Sequence, residues 1–202
     1  MPGYAVLDLE TTGFSQPKGD RIVEIGIVAL DADGGLDGEW TTLVNPERVV
    51  GATRVHHITA RDVVRAPTMA QLAPELVELL RGRIVVAHNA AFDVPFLTAE
   101  LTRVGVPLAG TRLPQLCTMR LSSYFLSTRT RRLVDCCQAA GISLVDAHSA
   151  LGDARATARL LVHYMSCRVP CPPWQAELAR ASSYRWPESA AACPPAHLLP
   201  RH

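Results

Sequence analysis

The 202-residue sequence predicts an α/β protein: a central mixed sheet, antiparallel in its first three strands, flanked by helices. Three observations lead there. Three apolar runs lie near the start, at residues 4–9, 22–30 and 39–44, each closed by turn residues. From residue 68 the apolar side chains change to helical spacing. Short apolar runs and helical patterns then alternate, which is how a sheet acquires helices on its faces.

Each element follows from local chemistry. Residues 4–9 read as a buried strand and end in the turn Thr11-Thr12-Gly13. The run 22–30, rich in Ile and Val, is the second strand, and 39–44 the third, closed by Asn45-Pro46. Strands separated by turns in this way suggest a meander. Met69, Leu72, Leu76, Leu79 and Leu80 mark a helix over 68–80, with Thr68 placed as N-cap behind Pro67. Residues 84–88 form a compact strand and 91–103 the helix after it, where Pro95 is expected in the first turn. A short strand at 115–117, a helix over 133–140 ended by Gly141, and a helix over 149–164 complete a domain of residues 1–166. Prolines crowd residues 167–202, which read as a Pro-rich C-terminal tail rather than a continuation of the core.

Composition bounds the function. Apolar residues make up 48% of the chain, enough for one buried core and against wholesale disorder. No apolar stretch approaches the roughly 18 residues of a membrane span, and the start lacks the pattern of a secretory signal. The expectation is a cytoplasmic protein without a membrane partner. A net charge of +1 argues against a protein that coats nucleic acid, but not against an enzyme that engages a strand end through bound cations. Lys18 is the only lysine, and Arg129, Arg131 and Arg132 cluster before the helix at 133–140. That cluster reads as a solvated loop or as a grip on a single strand's phosphates. The six cysteines read as reduced thiols, with Cys117, Cys136 and Cys137 as small core residues. Cys167, Cys171, Cys193 and His197 could hold one zinc ion, although their spacing is not that of a standard finger and a flexible tail is the alternative.

The acids carry the chemistry. Asp8 and Glu10 lie two apart at the end of the first strand, so their carboxylates share one side of it. Either that strand simply runs out into solvent, or a cation holds both acids ionised; hard oxygen ligands suit Mg²⁺ or Mn²⁺. Asp93 opens the helix after the strand at 84–88, where it can cap backbone N–H groups or deliver a third carboxylate to the same sheet edge. Asp153 lies early in the last helix. His148 precedes it in a lead-in loop, placed either as an exposed side chain or as a base with a pKa near operating pH.

Together these residues resemble a known family. Asp8-Leu9-Glu10-Thr11-Thr12-Gly13, His88-Asn89-Ala90-Ala91-Phe92-Asp93 and His148-Ser149-Ala150-Leu151-Gly152-Asp153 are similar to the three ordered motifs of DnaQ-like exonucleases, in the DEDDh branch. The similarity spans residues 4–164 and includes the segment Arg21 to Gly26. It implies a ribonuclease H-like fold and a 3′→5′ exonuclease that uses two divalent cations, Mg²⁺ or Mn²⁺. It further implies Asp8, Glu10, Asp93 and Asp153 as metal ligands and His148 as the base that takes a proton from water. Leu9, Thr11, Thr12, Gly13, His88, Asn89 and Phe92 are implied around the terminal nucleotide. The implied substrate is the 3′ end of a single strand, DNA favoured over RNA, with a polymerase or another replication or repair protein as partner. The alternatives are an RNA-trimming enzyme and a polymerase-docking subunit with little activity. Two departures stand out: family members often carry glycine where His57 stands and aspartate where Cys117 stands.

Overall fold

A computed structural model describes residues 3–106, 108, 112–145, 149–167 and 169–186. Strand β1 (Gly3–Thr11) is central. On one side it pairs antiparallel with β2 (Ile22–Asp31), which pairs antiparallel with β3 (Leu36–Leu43). On the other it runs parallel to β4 (Arg83–Ala87), and β4 runs parallel to β5 (Gln115–Cys117). The order β3-β2-β1-β4-β5 is the mixed sheet that the alternation of patterns predicts, its first three strands a meander. The first two apolar runs extend by a residue or more once paired, whereas the third begins three residues earlier, at Leu36, and stops one earlier, at Leu43.

Both faces of the sheet are covered. Helices α3 (Met69–Leu80) and α4 (Ala90–Arg103) pack Leu76, Leu80, Leu97 and Leu101 against Ala5, Leu7 and Leu9. The opposite face, with Tyr4, Val6 and Val28, meets α7 (Ala150–Ser166) through Ala154, Leu161 and Tyr164. Successive residues of β1 therefore enter different cores. Thr68 starts α3 as expected; the Gln71 side chain accepts from its backbone N–H at 2.8 Å. Pro95 lies in the second turn of α4, not the first. Its missing N–H removes a partner from the Ala91 carbonyl, and both residues are exposed, so water can serve in its place.

Four helices were not read from the pattern. α1 (Thr53–His56) and α2 (Ala60–Val63) are single turns, too short to show a period. α5 (Thr118–Phe125) lies between β5 and α6 (Leu133–Ala139). The fourth, α8 (Pro173–Ser183), belongs to the segment read as tail. Its Trp174 and Ala181 are buried on the α7 side of the sheet, and Trp186 is buried on the α3–α4 side. The chain thus wraps round the β5 edge, and Glu177 accepts from the Gln115 N–H at 3.1 Å. That carboxylate satisfies one of the donors an edge strand leaves open. The prolines here punctuate, with Pro172 as N-cap and Pro173 at the first helical position, while the tryptophans supply the burial.

Cys117, Cys136, Cys137, Cys167 and Cys171 are free thiols. Cys193 and His197 lie outside the described residues, and so does the zinc site suggested for them. Among the described residues, no helix is long and apolar enough to cross a membrane.

Candidate active site

The site forms at the carboxyl end of β1. Alternation places Asp8 and Glu10 on the face that α7 covers. In the β1–β2 ladder Asp8 stands opposite Gly26, and Glu10 opposite Glu24. Gly26 decides how close α7 comes: a Cβ there would lie 2.3 Å from backbone atoms of Ala150 and Leu151. The first turn of α7 rests directly on the strand because that side chain is missing. Ser149 caps the helix, its hydroxyl accepting from the Gly152 N–H at 3.1 Å, and Glu24 accepts from the Ala150 N–H at 3.0 Å. Pinned in this way, the first turn brings Asp153 into the field of Asp8 and Glu10.

Asp93 comes from the other layer. β4 lies parallel beside β1, so the turn after it opens at the same sheet edge. Asp93, in the first turn of α4, is buried and accepts a hydrogen bond from the backbone of Leu9. Sequence spacing alone left Asp93 open as a helix cap. The structure joins it to β1.

These carboxylates perturb one another. Burial pushes Asp8 well above the usual carboxylate range, and Asp93, Asp153, Glu10 and Glu24 push it further. Burial, then Glu24, Asp153 and Asp93, raise Glu10 to about 7. Burial raises Asp93 to about 7 against the pull of its backbone hydrogen bonds. Glu24 is an acid of the site that the spacing argument did not single out, although it lies in the segment carrying the resemblance.

The loop after β1 is braced from within. The Thr11 hydroxyl donates to the Gly13 carbonyl at 2.6 Å, and the Thr12 hydroxyl donates to Asp20 at 3.1 Å while accepting from the Arg21 N–H. Both threonines are buried, so this loop presents backbone rather than hydroxyls to a ligand. A Cβ on Gly13 would strike the Asp20 carboxylate, and one on Gly51 would strike the Thr12 carbonyl. Arg21 makes a bidentate ion pair with the buried Glu100, tying the loop to α4.

The remaining candidates divide. Leu9 is a core residue, reaching the site through its backbone. His88 is buried, with Nδ1 3.0 Å from the Thr118 hydroxyl and Nε2 2.8 Å from the Arg131 carbonyl. Burial lowers its pKa, so the ring is neutral and donates through Nε2. Both nitrogens are engaged, and His88 braces the loop before α6. Cys117 donates to the His88 carbonyl at 3.3 Å. Asn89 is exposed at the N-cap of α4 and makes no side-chain capping bond. Phe92 lies with its ring centroid 6.5 Å from that of Phe14. Phe14 is 79% exposed and was missed in the sequence, where one aromatic after a glycine turn carries no signal. His57 occupies the left-handed region at φ 60°, a conformation that glycine adopts without strain. His148 lies outside the described residues.

The donor set fits divalent cations. The charges that most perturb Asp8 and Glu10 are other carboxylates, and the donors are hard oxygens. Among the described residues no three such side chains are drawn together as a ready ligand shell.

Comparison with known proteins agrees with this arrangement. The family model described as "Exonuclease" (RNase_T) matches residues 5–161. A PolC-type DNA polymerase III of Clostridium perfringens is 37% identical over 161 residues, covering 78% of this chain and 11% of that protein. A DNA polymerase III subunit epsilon-like protein of Rhodobacter capsulatus is 34% identical over 168 residues, 80% of this chain and 23% of that protein. The epsilon subunit of Treponema pallidum is 37% identical over 101 residues, 49% of this chain and 46% of that protein. The chain therefore spans less than half the length of these relatives. Among solved structures, the zinc-bound E. coli exonuclease I–single-stranded DNA complex superposes with a TM-score of 0.72 at 17% identity, over 91% of this chain and 42% of that one. A 3′-exonuclease that recognises the histone mRNA stem-loop gives 0.67 at 17% identity, over 81% of each chain. These similarities are in fold, which is ribonuclease H-like. With four carboxylates gathered at the end of β1 and the family match spanning the three motifs that carry them, the chain belongs to the DnaQ-like, RNase T family of exonucleases, a family of divalent-metal-dependent enzymes.

Proposed function

We propose that the chain removes nucleotides from the 3′ end of single-stranded DNA, releasing nucleoside 5′-monophosphates, as a proofreading or repair activity. The observation that carries this is the gathering of Asp8, Glu10, Asp93 and Asp153 at one sheet edge, where the other acids add to the burial that raises Asp8 and Glu10. Asp8, Glu10 and Asp153 would hold one divalent cation, and Asp8 with Asp93 a second, Mg²⁺ or Mn²⁺. Such a pair stabilises the attacking and leaving oxygens of an in-line displacement. The protein's own share is positioning. A ring nitrogen of His148 takes the proton of the attacking water. The backbone of Leu9 and of Thr11 to Gly13 lies against the terminal nucleotide, and Asn89 offers a polar side chain. Phe14 and Phe92 provide ring faces for the last bases.

DNA is favoured because the relatives cited at 34–37% identity are named as DNA polymerase III proteins. The names of those relatives also support a polymerase or another replication or repair protein as partner. The histone mRNA 3′-exonuclease shows that the fold also serves RNA. The test is incubation with end-labelled single-stranded DNA and matched RNA under Mg²⁺, Mn²⁺ or chelator, beside Asp8→Ala. The expected result is metal-dependent release of mononucleotides from the DNA 3′ end, lost in the variant. Degradation of RNA with DNA spared would replace the DNA reading with an RNA-trimming one. No cleavage by folded protein under any condition would leave a docking subunit.

A further inference from the structure

An open groove of about 740 Å³ begins at Ala90 and Ala91, the first residues of α4, within one helical turn of Asp93. It runs along β5 and α5 between Arg112, Arg120 and Arg131 and passes Tyr124, which is 82% exposed. Its far wall is the segment Val169 to Cys171 with Pro173, leading into α8. Among the described residues, no carboxylate lines it.

The arginines are unequal to their neighbours in a way that matters. Arg132, Arg155 and Arg180 are held by Asp135, Glu39 and Glu177. Arg120 and Arg131 have no carboxylate partner among the described residues, although both are exposed on the groove. Arg131 is also fixed in place, because its carbonyl accepts from His88 at the end of β4. Of the cluster before α6, Arg132 is thus occupied and Arg131 is presented to the groove.

We propose that this groove is the track for the single-stranded DNA upstream of the bond that is cut. The proposal rests on the exonuclease reading of the acidic site. Guanidinium groups at intervals along a groove match a phosphodiester backbone, and an exposed ring beside them gives a base a stacking face. The neutral polar side chains of the lining are already engaged. The Ser123 hydroxyl donates to the Arg120 carbonyl at 2.9 Å, and Gln115 faces the Arg112 guanidinium. Among the described residues, no neutral side chain of the lining except the Tyr124 hydroxyl is free to recognise a ribose 2′-hydroxyl, the group by which RNA is told from DNA. Continuity with the N-terminus of α4 sets the direction: the terminal nucleotide lies at the acids and the strand leads away over α5.

The test is equilibrium binding of the full chain to fluorescent oligothymidylate and oligouridylate of about 20 nucleotides in chelator, from about 50 to 200 mM KCl. Without metal, binding reads the groove whether or not hydrolysis occurs. Arg120→Glu with Arg131→Glu is expected to weaken oligothymidylate binding at least about tenfold and to flatten the salt slope by about 1.4, the share of two phosphate contacts. Tyr124→Ala is expected to weaken binding about tenfold, with Tyr124→Phe restoring it. Cleavage of a dinucleotide, whose one upstream nucleotide reaches no further than the mouth of the track at Ala90 and Ala91, should persist in all three variants. This separates loss of the track from loss of the acidic site or of the fold. Unchanged affinity and salt slope in the double arginine variant would overturn the proposal, as would tighter binding of oligouridylate than of oligothymidylate by the parent protein.

Discussion

Glu10 faces Glu24 across the ladder, and Asp8 feels four other carboxylates, so at neutral pH the metal-free site works against the fold. The sign follows from the direction of the shifts. Glu10 and Asp93 bind protons more tightly folded than unfolded, so the stability they contribute is present at low pH and lost as pH rises from about 4 through about 7. In chelator, Asp8→Asn should therefore raise the melting temperature at pH 8, by an amount on the order of 5 °C, and by much less at pH 5. Adding Mg²⁺ or Mn²⁺ should stabilise the parent more than the variant, as measured by thermal denaturation over a pH series. Equal effects at both pH values would refute the electrostatic account. Glu100 has a different role: it is buried and paired with Arg21, which holds the Thr11–Gly13 loop. Glu100→Gln leaves the buried guanidinium only the exposed Glu47, at 3.9 Å, and should cost about 3 kcal/mol in denaturant unfolding. In whatever fraction remains folded, kcat should fall because the loop and α4 lose their tie.

The element whose placement matters most is α7. Its first turn sits on Gly26 with no room for a methyl group, and a backbone-to-backbone contact cannot be relieved by rotating a side chain. Gly26→Ala should cost about 1–3 kcal/mol by overpacking and should move Asp153 away from Asp8. The expected signature is a drop in kcat, with KM for a single strand less affected, since the upstream groove is built from β5 and α5. A fully active Gly26→Ala protein would show that α7 can shift without harm. Glu24 contributes from the same strand by holding the Ala150 N–H, so one short stretch of β2 seats the helix twice.

For the whole molecule, the segment beyond residue 166 is the test. Trp174 enters the core on one side of the sheet and Trp186 the core on the other, so removing residues 167–202 would open both and uncover β5. Trp174→Ala alone should cost about 3–5 kcal/mol. The chain truncated after residue 166 should be poorly soluble, its β5 edge having lost the Glu177 bond. Sedimentation and thermal denaturation of the truncated chain check this directly.

Local patterning already specifies the sheet, its meander and the long helices, because period-two and helical spacing are local properties of apolar side chains. It also placed Asp8 and Glu10 together, since two residues apart on a strand share a side whatever the rest of the chain does. The single-turn helices left no period to read, and the prolines of the C-terminal segment outweighed its two tryptophans. Other matters depended on residues far apart in the chain. Asp93 comes near the acids of β1 because β4 lies parallel beside β1 and opens α4 at the same sheet edge. Asp153 joins because a glycine 127 residues earlier leaves space for its helix. His88 braces the loop before α6 because Thr118 and Arg131 fold onto its two nitrogens. Burial, field and contact are sums over neighbours in space, and only the tertiary structure says which neighbours those are.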